Sequence, residues 1–350
     1  MKQFAFTSLL VFCFSFGLFS QDAKKMTAHF INVGQADATL LEFPCGAILI
    51  DAGAQDTAHE NDLIDYLEDF FKRRSDLNKT LDLVIITHAH IDHNLALDEV
   101  VKQFKVKRYI DNGLSSGSGK KNQNWLQETA PELGIQYATY TWESITENGN
   151  KKGITDAIID PINCSEINPS ISLLSGSFSK KPDDWSSSDY KNGNNQSIVV
   201  RVTFGSSSFL FTGDLEVAGL ETLQQSCDST VLDNDILRVG HHGAANATTP
   251  EYLNAVTPDY AIISCGQWNY GLKSKGSFNT YSYGHPRINI LNQLDSVMVG
   301  TRPKPITIKA ALGSKKFTDY TVSKQIYATP WDNTIQLQAD DKGKYRILEH

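Results

Sequence analysis

Short apolar runs alternate along the first half of the chain with segments of helical periodicity. Apolar β-rich stretches on both sides of residues 34–37 predict a hairpin, and residues 47–53 predict a buried strand that ends at a carboxylate and a glycine. Apolar residues at helical spacing predict helices over residues 61–73 and 94–104. Between these helices, residues 83–87 form a short β-branched run with an abrupt polar end, which favours another buried strand.

The second half of the chain repeats this rhythm after a polar interval. Residues 163–196 are rich in Ser, Asn, Gly and Lys, and they predict a long surface loop. The further predicted elements are strands over residues 197–204, 208–212, 236–239, 260–264, 305–309 and 332–348 and a helix over residues 250–255. The chain is therefore predicted to be a layered α/β sandwich in one domain, residues 21–350, with a core over about 27–300 and a C-terminal strand segment over 301–350.

The N-terminus has the pattern of a secretory signal peptide. Lys2 precedes an almost continuous apolar run from Phe4 to Phe19, which ends at Ser20 before a polar stretch. An uncleaved membrane anchor is the alternative, but the run is short for a span of about 20 residues. We therefore expect residues 1–20 to be removed and the mature protein to be secreted or periplasmic, without stable membrane insertion.

Composition and charge narrow the function classes. With 40% hydrophobic and 21% charged residues, the chain of 350 residues is typical of a globular protein. The formal net charge of −8 argues against a tight non-specific DNA-binding protein. The lysine pairs are dispersed along the sequence, which favours solvated loops over one basic groove.

Four cysteines remain after the predicted processing, namely Cys45, Cys164, Cys227 and Cys265. An even number in an oxidising compartment predicts one or two disulfides, and the sequence leaves their pairing open. Their spacing matches no zinc-ribbon pattern.

The histidines point to a metal site. His88-Ala-His-Ile-Asp-His93 follows the strand predicted over residues 83–87, so three imidazoles and the carboxylate of Asp92 lie on one strand-to-helix turn. These ligand types suit zinc, manganese or iron. Five of the nine histidines lie in two short segments that each follow an apolar strand: His88, His90, His93, His241 and His242. A chance cluster on a polar loop is therefore disfavoured.

Two aspartates end apolar strands in the same way. Asp214 follows residues 209–213. A lone aspartate there would be a turn residue, but the other strand-end histidines and carboxylates make Asp214 a candidate ligand. Asp51 follows residues 48–50 and is either a ligand or a carboxylate that accepts the N–H of a ligating imidazole and fixes its tautomer. Strand ends at one sheet edge predict a shared site.

These residues carry a family resemblance. His88-Ala-His-Ile-Asp-His93 matches the H-x-H-x-D-H signature of the metallo-β-lactamase superfamily. Flanking motifs resemble the hydrolase domain of ComEC/Rec2-like competence proteins, and they lie at residues 31–37, 49–53, 195–200, 210–214, 239–243 and 283–286. The resemblance extends from about residue 27 to at least residue 294. It implies a four-layer αββα fold with two mixed sheets sandwiched between helices, two divalent metal ions (Zn or Mn), and cleavage of phosphodiester or phosphate-ester bonds.

The resemblance also implies roles for individual residues. His88, His90 and Asp214 would hold one metal, while Asp92, His93, His242 and the shared Asp214 would hold the other. His241 and His285 are candidates for contacting the phosphate or protonating the leaving oxygen, with Asp92 also at the reacting centre; His285 could instead be a packed loop residue. Because adjacent residues that leave a strand point in opposite directions, we expect His242 and not His241 to bind metal. Asp37, Asp51 and Asn195 are expected to support the ligands from behind.

Two departures from the family pattern affect these expectations. Ala36 stands where the family usually has glycine, which predicts a strained turn if a positive φ is needed there. No histidine lies between His93 and His241, where many superfamily hydrolases carry another ligand. This absence disfavours a lactamase, lactonase or glyoxalase-type enzyme and leaves the first metal with fewer protein ligands, while an Asn-rich strand start at residues 194–197 occupies that region.

The sequence therefore predicts an exported two-metal phosphodiesterase or nuclease in which water bridging the cations is the nucleophile. Extracellular DNA is one candidate substrate, and no obligate protein partner is predicted. One alternative is a phosphoesterase that acts on envelope phosphocholine or other small phosphodiesters. The other is a metal-stabilised binding protein without turnover.

Overall fold

The computed structural model describes residues 24–270, 272 and 279–349, and the predicted signal peptide lies outside them. The strands are β1 (Lys25–Phe30), β2 (Thr39–Phe43), β3 (Gly46–Ile50), β4 (Thr80–Leu81), β5 (Leu83–Ile85), β6 (Lys105–Val106), β7 (Arg108–Asp111), β8 (Gln136–Thr139), β9 (Ser170–Ser175), β10 (Val199–Phe204), β11 (Ser207–Phe211), β12 (Ile236–Arg238), β13 (Tyr260–Ile263), β14 (Thr301–Gly313), β15 (Lys316–Lys324), β16 (Ile326–Ala328), β17 (Ile335–Asp340) and β18 (Tyr345–Ile347). The helices are α1 (Thr57–Arg73), α2 (Ile91–Asn94), α3 (Leu97–Gln103), α4 (Lys120–Thr129), α5 (Trp142–Gly149), α6 (Ser187–Lys191), α7 (Val217–Ser226), α8 (Ser229–Leu232), α9 (Pro250–Val256), α10 (Thr280–Tyr283), α11 (Ile288–Val297) and α12 (Thr329–Asp332).

The described strands form two large mixed sheets. The first sheet has the order β18-β17-β1-β2-β3-β5-β7-β8, and the second has the order β16-β13-β12-β11-β10-β9. In the first sheet β3, β5, β7 and β8 run parallel. In the second sheet β11, β12, β13 and β16 run parallel. Each sheet thus combines antiparallel hairpins with a parallel block, whose carboxyl ends meet at one edge.

Alternation along the strands sorts the apolar side chains into three layers. Residues such as Phe30 and Phe211 face each other between the sheets, with rings 6.3 Å apart. The opposite face of the first sheet packs on α1, α3 and α4, and the opposite face of the second sheet packs on α7, α9 and α11. Because both faces of each large sheet bury apolar area against another layer, the four-layer αββα arrangement that the family resemblance implies is confirmed.

Helix α1 shows how local sequence sets these elements. The Asp56 side chain accepts a hydrogen bond from the backbone N–H of His59, so the helix begins at Thr57, four residues before the predicted start. Its buried face consists of the residues whose spacing predicted the helix: Leu63, Ile64, Leu67, Phe70 and Phe71.

Two predicted elements in the first two thirds of the chain differ from the structure. The helix predicted over residues 94–104 is divided into α2, which lies in the turn that carries the histidines, and α3, because Ala96 departs from helical dihedrals with φ −88° and ψ 6°. The predicted surface loop over residues 163–196 contains β9, an edge strand of the second sheet, and α6. This segment lacks a regular apolar period, yet it buries Phe178, Trp185 and Asn195.

The C-terminal segment contributes to both sheets. Strand β16 pairs with β13, while β17 pairs with β1 and β18 with β17. The predicted strand over residues 332–348 is therefore two strands, and β14 and β15 form a separate long hairpin.

A disulfide joins Cys45, in the turn between β2 and β3, to Cys164, and Cys227 and Cys265 are buried free thiols. Among the helices described, none has the length and apolar character needed to cross a membrane.

Candidate metal centre

The candidate ligands lie where strands of both sheets end. Asp51 directly follows β3, and His88 follows β5 by three residues. On the second sheet, Asp214 follows β11 and the pair His241–His242 follows β12. The backbone N–H of Ile198 donates to the carbonyl of Thr87 and so connects the two sheets at this edge. The parallel blocks therefore deliver their polar residues to one place.

Four side chains converge most closely. The ligand atoms of Asp92, His93, Asp214 and His242 all lie within 4.8 Å of one another. His93 Nε2 is 3.1 Å from Asp214 Oδ2. His242 Nε2 is 3.3 Å from Asp92 Oδ2 and 3.6 Å from Asp214 Oδ2. Within the described part of the chain, His93 Nε2 is buried without a hydrogen-bond partner, as expected of an atom that faces a cation, and Asp214 Oδ1, on the side of Arg238, also has none.

Hydrogen bonds behind two of the imidazoles set their tautomers. His93 Nδ1 lies 2.7 Å from Asp51 Oδ2, and His242 Nδ1 lies 2.7 Å from the carbonyl oxygen of Ser264. Because these oxygens accept, each Nδ1 carries a proton, and each Nε2 is the atom that faces the carboxylates and would coordinate a metal ion. Asp51 is fixed in turn by the backbone N–H and hydroxyl of Thr87, at 2.7 and 2.9 Å.

His88 and His90 lie beside this group. His88 Nε2 is 3.0 Å from His90 Nδ1 and 4.0 Å from Asp214 Oδ2. Burial, together with the neighbouring imidazoles, lowers the pKa of His88 well below its usual value. His88 is therefore neutral and able to act as a ligand.

The centre carries an excess of buried negative charge. Its carboxylates belong to Asp37, Asp51, Asp92 and Asp214. Burial raises the pKa of Asp214, but His93 and His242 outweigh this effect, so that its pKa lies well below the ordinary value and it is ionised. Burial lowers the pKa of His93, but Asp214 and Asp51 raise it well above its usual range, so that a proton or a metal ion is strongly favoured there. Imidazole and carboxylate donors with orphaned atoms fit divalent zinc or manganese.

Arg238 was missed by sequence reasoning. Its guanidinium is 1% exposed, lies 2.6 Å from Asp37 Oδ2 and 3.5 Å from Asp214 Oδ1, and donates to the carbonyl of Gly213. Burial opposes its charge, but the carboxylates of Asp37 and Asp214 raise the pKa of Arg238 overall. It therefore orients Asp214 from the side opposite the imidazoles. The signal was a charged residue inside the apolar strand 236–239.

The His241–His242 segment differs from the prediction in its backbone. Both residues have left-handed φ values, 49° and 55°, within the 3-10 turn Gly240–Gly243, so they do not leave the strand in extended conformation. Such backbone is costly for non-glycine residues and is typical of functional sites. His241 Nε2 lies 3.9 Å from Asp214 Oδ2 and 3.5 Å from Asn194 Nδ2, and the side chain is 22% exposed. Burial lowers the pKa of His241.

His285 occupies the opposite wall. Gln35 Nε2 donates to His285 Nδ1 at 2.9 Å, and the orientation of this amide is set by Thr280, whose hydroxyl donates to Gln35 Oε1 at 2.8 Å. Since Nδ1 accepts, the Nε2 of His285 carries the proton. Burial lowers the pKa of His285 well below its usual value, so the ring is neutral and donates through Nε2.

The remaining predicted residues lie around the ligands. Asn195 Oδ1 accepts from the backbone N–H of Glu216 and so fixes the start of α7, whereas its neighbour Asn194 lines the cavity. In the turn over residues 34–37, the positive φ of 73° falls at Gly34 and not at Ala36, so the expected strain is absent. Gly53 has a different constraint: a Cβ there would lie 1.7 Å from the carbonyl oxygen of Asp92.

A cavity of about 330 Å³ opens over the centre. The side chains that line it include those of His90, Asp92, Asp214, His241, His242 and His285. Candidate ligands and candidate proton donors thus face the same space.

Comparison with known proteins agrees with this arrangement. The family model for the metallo-beta-lactamase superfamily matches residues 31–267. ComE operon protein 3 of Bacillus subtilis is 27% identical over 280 residues, 77% of this chain and 31% of that protein. Recombination protein 2 of Haemophilus influenzae is 25% identical over 265 residues, 75% of this chain and 27% of that protein. The chain therefore spans less than a third of the length of these relatives.

Among solved structures, the metallo-beta-lactamase fold protein YhfI from Bacillus subtilis aligns over 85% of this chain and 99% of its own, with a TM-score of 0.43 and 12% sequence identity. The family match covers both strand-end motifs and the whole candidate centre except His285. The chain belongs to the metallo-beta-lactamase superfamily, and over about three quarters of its length it is similar to ComE operon protein 3 and Recombination protein 2.

Proposed function

We propose that this protein is an exported, divalent metal-dependent phosphodiesterase that cleaves nucleic acid strands. The observation that carries the proposal is the buried group of Asp92, His93, Asp214 and His242, whose ligand atoms face one another within 4.8 Å and open into a cavity. Among these atoms, His93 Nε2 is buried without a hydrogen-bond partner in the described part of the chain, and two carboxylates lie side by side at the cavity, an arrangement that a purely structural cluster avoids.

The candidate ligands form two groups, one for each cation. Asp92, His93, Asp214 and His242 would hold one cation, and His88 and His90 would share Asp214 in holding a second. Cations held there would activate water and neutralise charge that develops on phosphate oxygens. Asp51 and Ser264 keep the imidazole lone pairs directed at the metals.

Proton donation falls to the cavity wall. His285 presents a neutral N–H fixed by Gln35, which suits donation to a phosphate oxygen or to the departing oxygen. His241 faces the same space from the other side and is partly exposed, so it can reach substrate while staying outside the closest ligand group.

Support for nucleic acid as the substrate comes from the relatives. Recombination protein 2 of Haemophilus influenzae is named for recombination, a process that acts on DNA. The absence of a histidine between His93 and His241 also favours this branch over a lactamase-type enzyme.

Export is supported by the cysteines and by the apolar N-terminal run. The Cys45–Cys164 disulfide is typical of an oxidising compartment. We expect fractionation of cells to place the mature chain outside the cytoplasm, with an N-terminus near Gln21 by mass spectrometry. A full-length chain recovered from the cytoplasm would contradict this part of the proposal.

The enzymatic part is tested with purified protein freed of metal by EDTA and then reloaded with Mn²⁺ or Zn²⁺. We expect hydrolysis of bis-p-nitrophenyl phosphate and of single-stranded DNA only after reloading. The His59→Ala variant is the matched control for substitutions of the cavity histidines, because His59 does not line the cavity. Metal binding without turnover on either substrate would instead indicate a metal-stabilised binding protein.

A further inference from the structure

A second cavity of about 370 Å³ lies beside the metal centre. His285 lines both cavities, so its imidazole forms part of the wall between them. Trp268 and Trp331 provide apolar walls, and the outward face of the β14–β15 hairpin closes one side. The volume lies within the range of small-molecule sites, about 300–1,000 Å³.

The hairpin supports this cavity through cross-strand pairs. Ile308 and Ala310 are buried in the core, so the alternate residues Thr307 and Lys309 point outward. On the same face, the ring of Phe317 lies 5.7 Å from Trp268. The indole of Trp268 is thereby held from behind, which leaves an ordered aromatic surface for a planar ligand.

Polar groups are few and are placed around the aromatic walls. The exposed amides of Gln267 and Asn269 and the hydroxyl of Thr307 line the cavity. Lys309 lies at the rim and pairs with Asp319 at 2.8 Å. Such a combination of aromatic faces with amide donors and acceptors is how proteins bind unstacked nucleobases.

The charge of the hairpin favours an anionic ligand. Residues 301–324 contain six Lys or Arg residues and one Asp, in a chain whose net charge is −8. Arg302 is bound to Asp332, but Lys304, Lys315 and Lys316 are exposed. The exposed lysines give this hairpin a positive potential in an acidic protein, while the cavity itself is lined by the paired Lys309 and Asp319.

Gln35 connects the two cavities rigidly. Its Oε1 accepts from the hydroxyl of Thr280 at 2.8 Å and from the N–H of Gly266 at 3.4 Å, while its Nε2 donates to His285. The segment that bears Trp268 is thus tied to the wall of the metal centre. A ligand that extends past His285 from one cavity into the other would therefore meet both sets of lining residues at a fixed distance from each other.

We propose that the second cavity is a base subsite, in which a nucleobase joined to the phosphate at the metal centre stacks on Trp268 and Trp331 and binds Gln267 and Asn269 through its edge. The inference rests on the proposed function and deepens it, because it assigns the group that recognises nucleotides as distinct from other phosphodiesters. Stacking on aromatic side chains tolerates any base, so we expect little sequence preference.

The test compares two probes on manganese-loaded protein by isothermal titration calorimetry. Thymidine 5′-monophosphate and 2-deoxyribose 5-phosphate carry the same phosphate, and only the first has a base. We expect the nucleotide to bind about 5- to 100-fold more tightly. Trp268→Ala and Trp331→Ala should remove this difference while leaving the affinity for deoxyribose phosphate unchanged, which also shows that the variants are folded.

Trp142→Ala is the matched control, because Trp142 stacks on Phe178 away from both cavities, and it should keep the preference. Equal binding of the two probes by the wild type, or an intact preference in both cavity variants, would overturn the inference. Tighter binding of phosphocholine than of the nucleotide would also overturn it, in favour of a quaternary ammonium site. This binding test is independent of the hydrolysis test of the proposed function. Hydrolysis of oligonucleotides without base-dependent binding would reject the base subsite alone, and base-dependent binding without hydrolysis would reject the enzymatic activity alone.

Discussion

Two polar clusters, one against the first sheet and one where both sheets end, contain the same chemical groups and differ in how completely those groups are hydrogen-bonded. In the Glu42 cluster, formed by His29, Glu42, Arg73 and Arg74, both carboxylate oxygens of Glu42 accept two hydrogen bonds, at 2.8–3.1 Å. In the metal centre, Asp37 Oδ1, His93 Nε2 and Asp214 Oδ1 have no hydrogen-bond partner among the described residues. A cluster of histidine, carboxylate and arginine is therefore structural when every atom is paired and functional when atoms are left facing a common space.

The largest effect is expected for Asp214, the proposed shared ligand, and for His90, a half-buried proposed ligand of the other metal. Asp214→Ala and His90→Ala each remove a metal ligand, so phosphodiesterase activity should fall by more than about 10³-fold. Circular dichroism should remain near wild type because both residues lie at the rim of a large apolar core. Full activity of Asp214→Ala would show that this carboxylate does not join the two metal positions.

The neighbouring histidines should separate binding from chemistry. His242→Ala removes an Nε2 whose lone pair is fixed by Ser264, so the metal content measured by atomic emission should drop. His241→Ala should keep its metal and lose about 10²–10⁴-fold in kcat/KM, the range for a positioned proton donor. The opposite pattern would exchange the two roles. If both variants kept full activity and full metal content, neither His241 nor His242 would belong to the site.

Asp51→Asn should have a smaller effect. The amide keeps the shape of the side chain but weakens the acceptor that holds His93 Nδ1, so the metal affinity should fall by about 10- to 100-fold. Competition with a chromophoric chelator measures this change. Excess metal should restore most of the activity, whereas an irrecoverable loss would make Asp51 a ligand itself.

How far the sequence predicted these two clusters depends on the distance between partners along the chain. The H-x-H-x-D-H turn, Asp214 and the His241–His242 pair were found because each follows a recognisable apolar strand. Arg238 and Gln35 were missed, since their partners Asp37 and His285 are remote in sequence and only the packed sheets bring them together.

The same limit explains the errors in the fold. Apolar runs predicted strands that belong to both sheets, and apolar spacing predicted α1. The order of residues 163–196 was not predicted because the buried residues of this segment follow no regular period. Two of them, Asn194 and Gln196, are polar, and their buried amides are hydrogen-bonded to Glu216 and Tyr190. The Glu42 cluster gave no signal either, because a glutamate in an apolar strand is informative only once the arginines that bind it are located.

The smallest effect on function, and a clear effect on stability, is expected for Glu42→Gln. Burial raises the pKa of Glu42, but hydrogen bonds from His29 and Arg73 outweigh it and hold that pKa far below the usual value of 4.5. Removing the charge leaves Arg74 buried without its full partner, so the free energy of unfolding should fall by about 3 kcal/mol, while metal content and turnover stay unchanged.

The pH dependence of this variant follows from the same shift. Because the pKa of Glu42 is lower in the folded protein, its contribution is fully present above about pH 4.5 and is lost as the pH falls toward the folded value. Urea unfolding of the metal-free proteins should therefore show wild type and Glu42→Gln converging in stability between about pH 5 and pH 3. If the gap between them stayed constant over that range, the stabilisation would come from shape and not from charge, and the contrast between a paired and an unpaired cluster would lose its electrostatic basis.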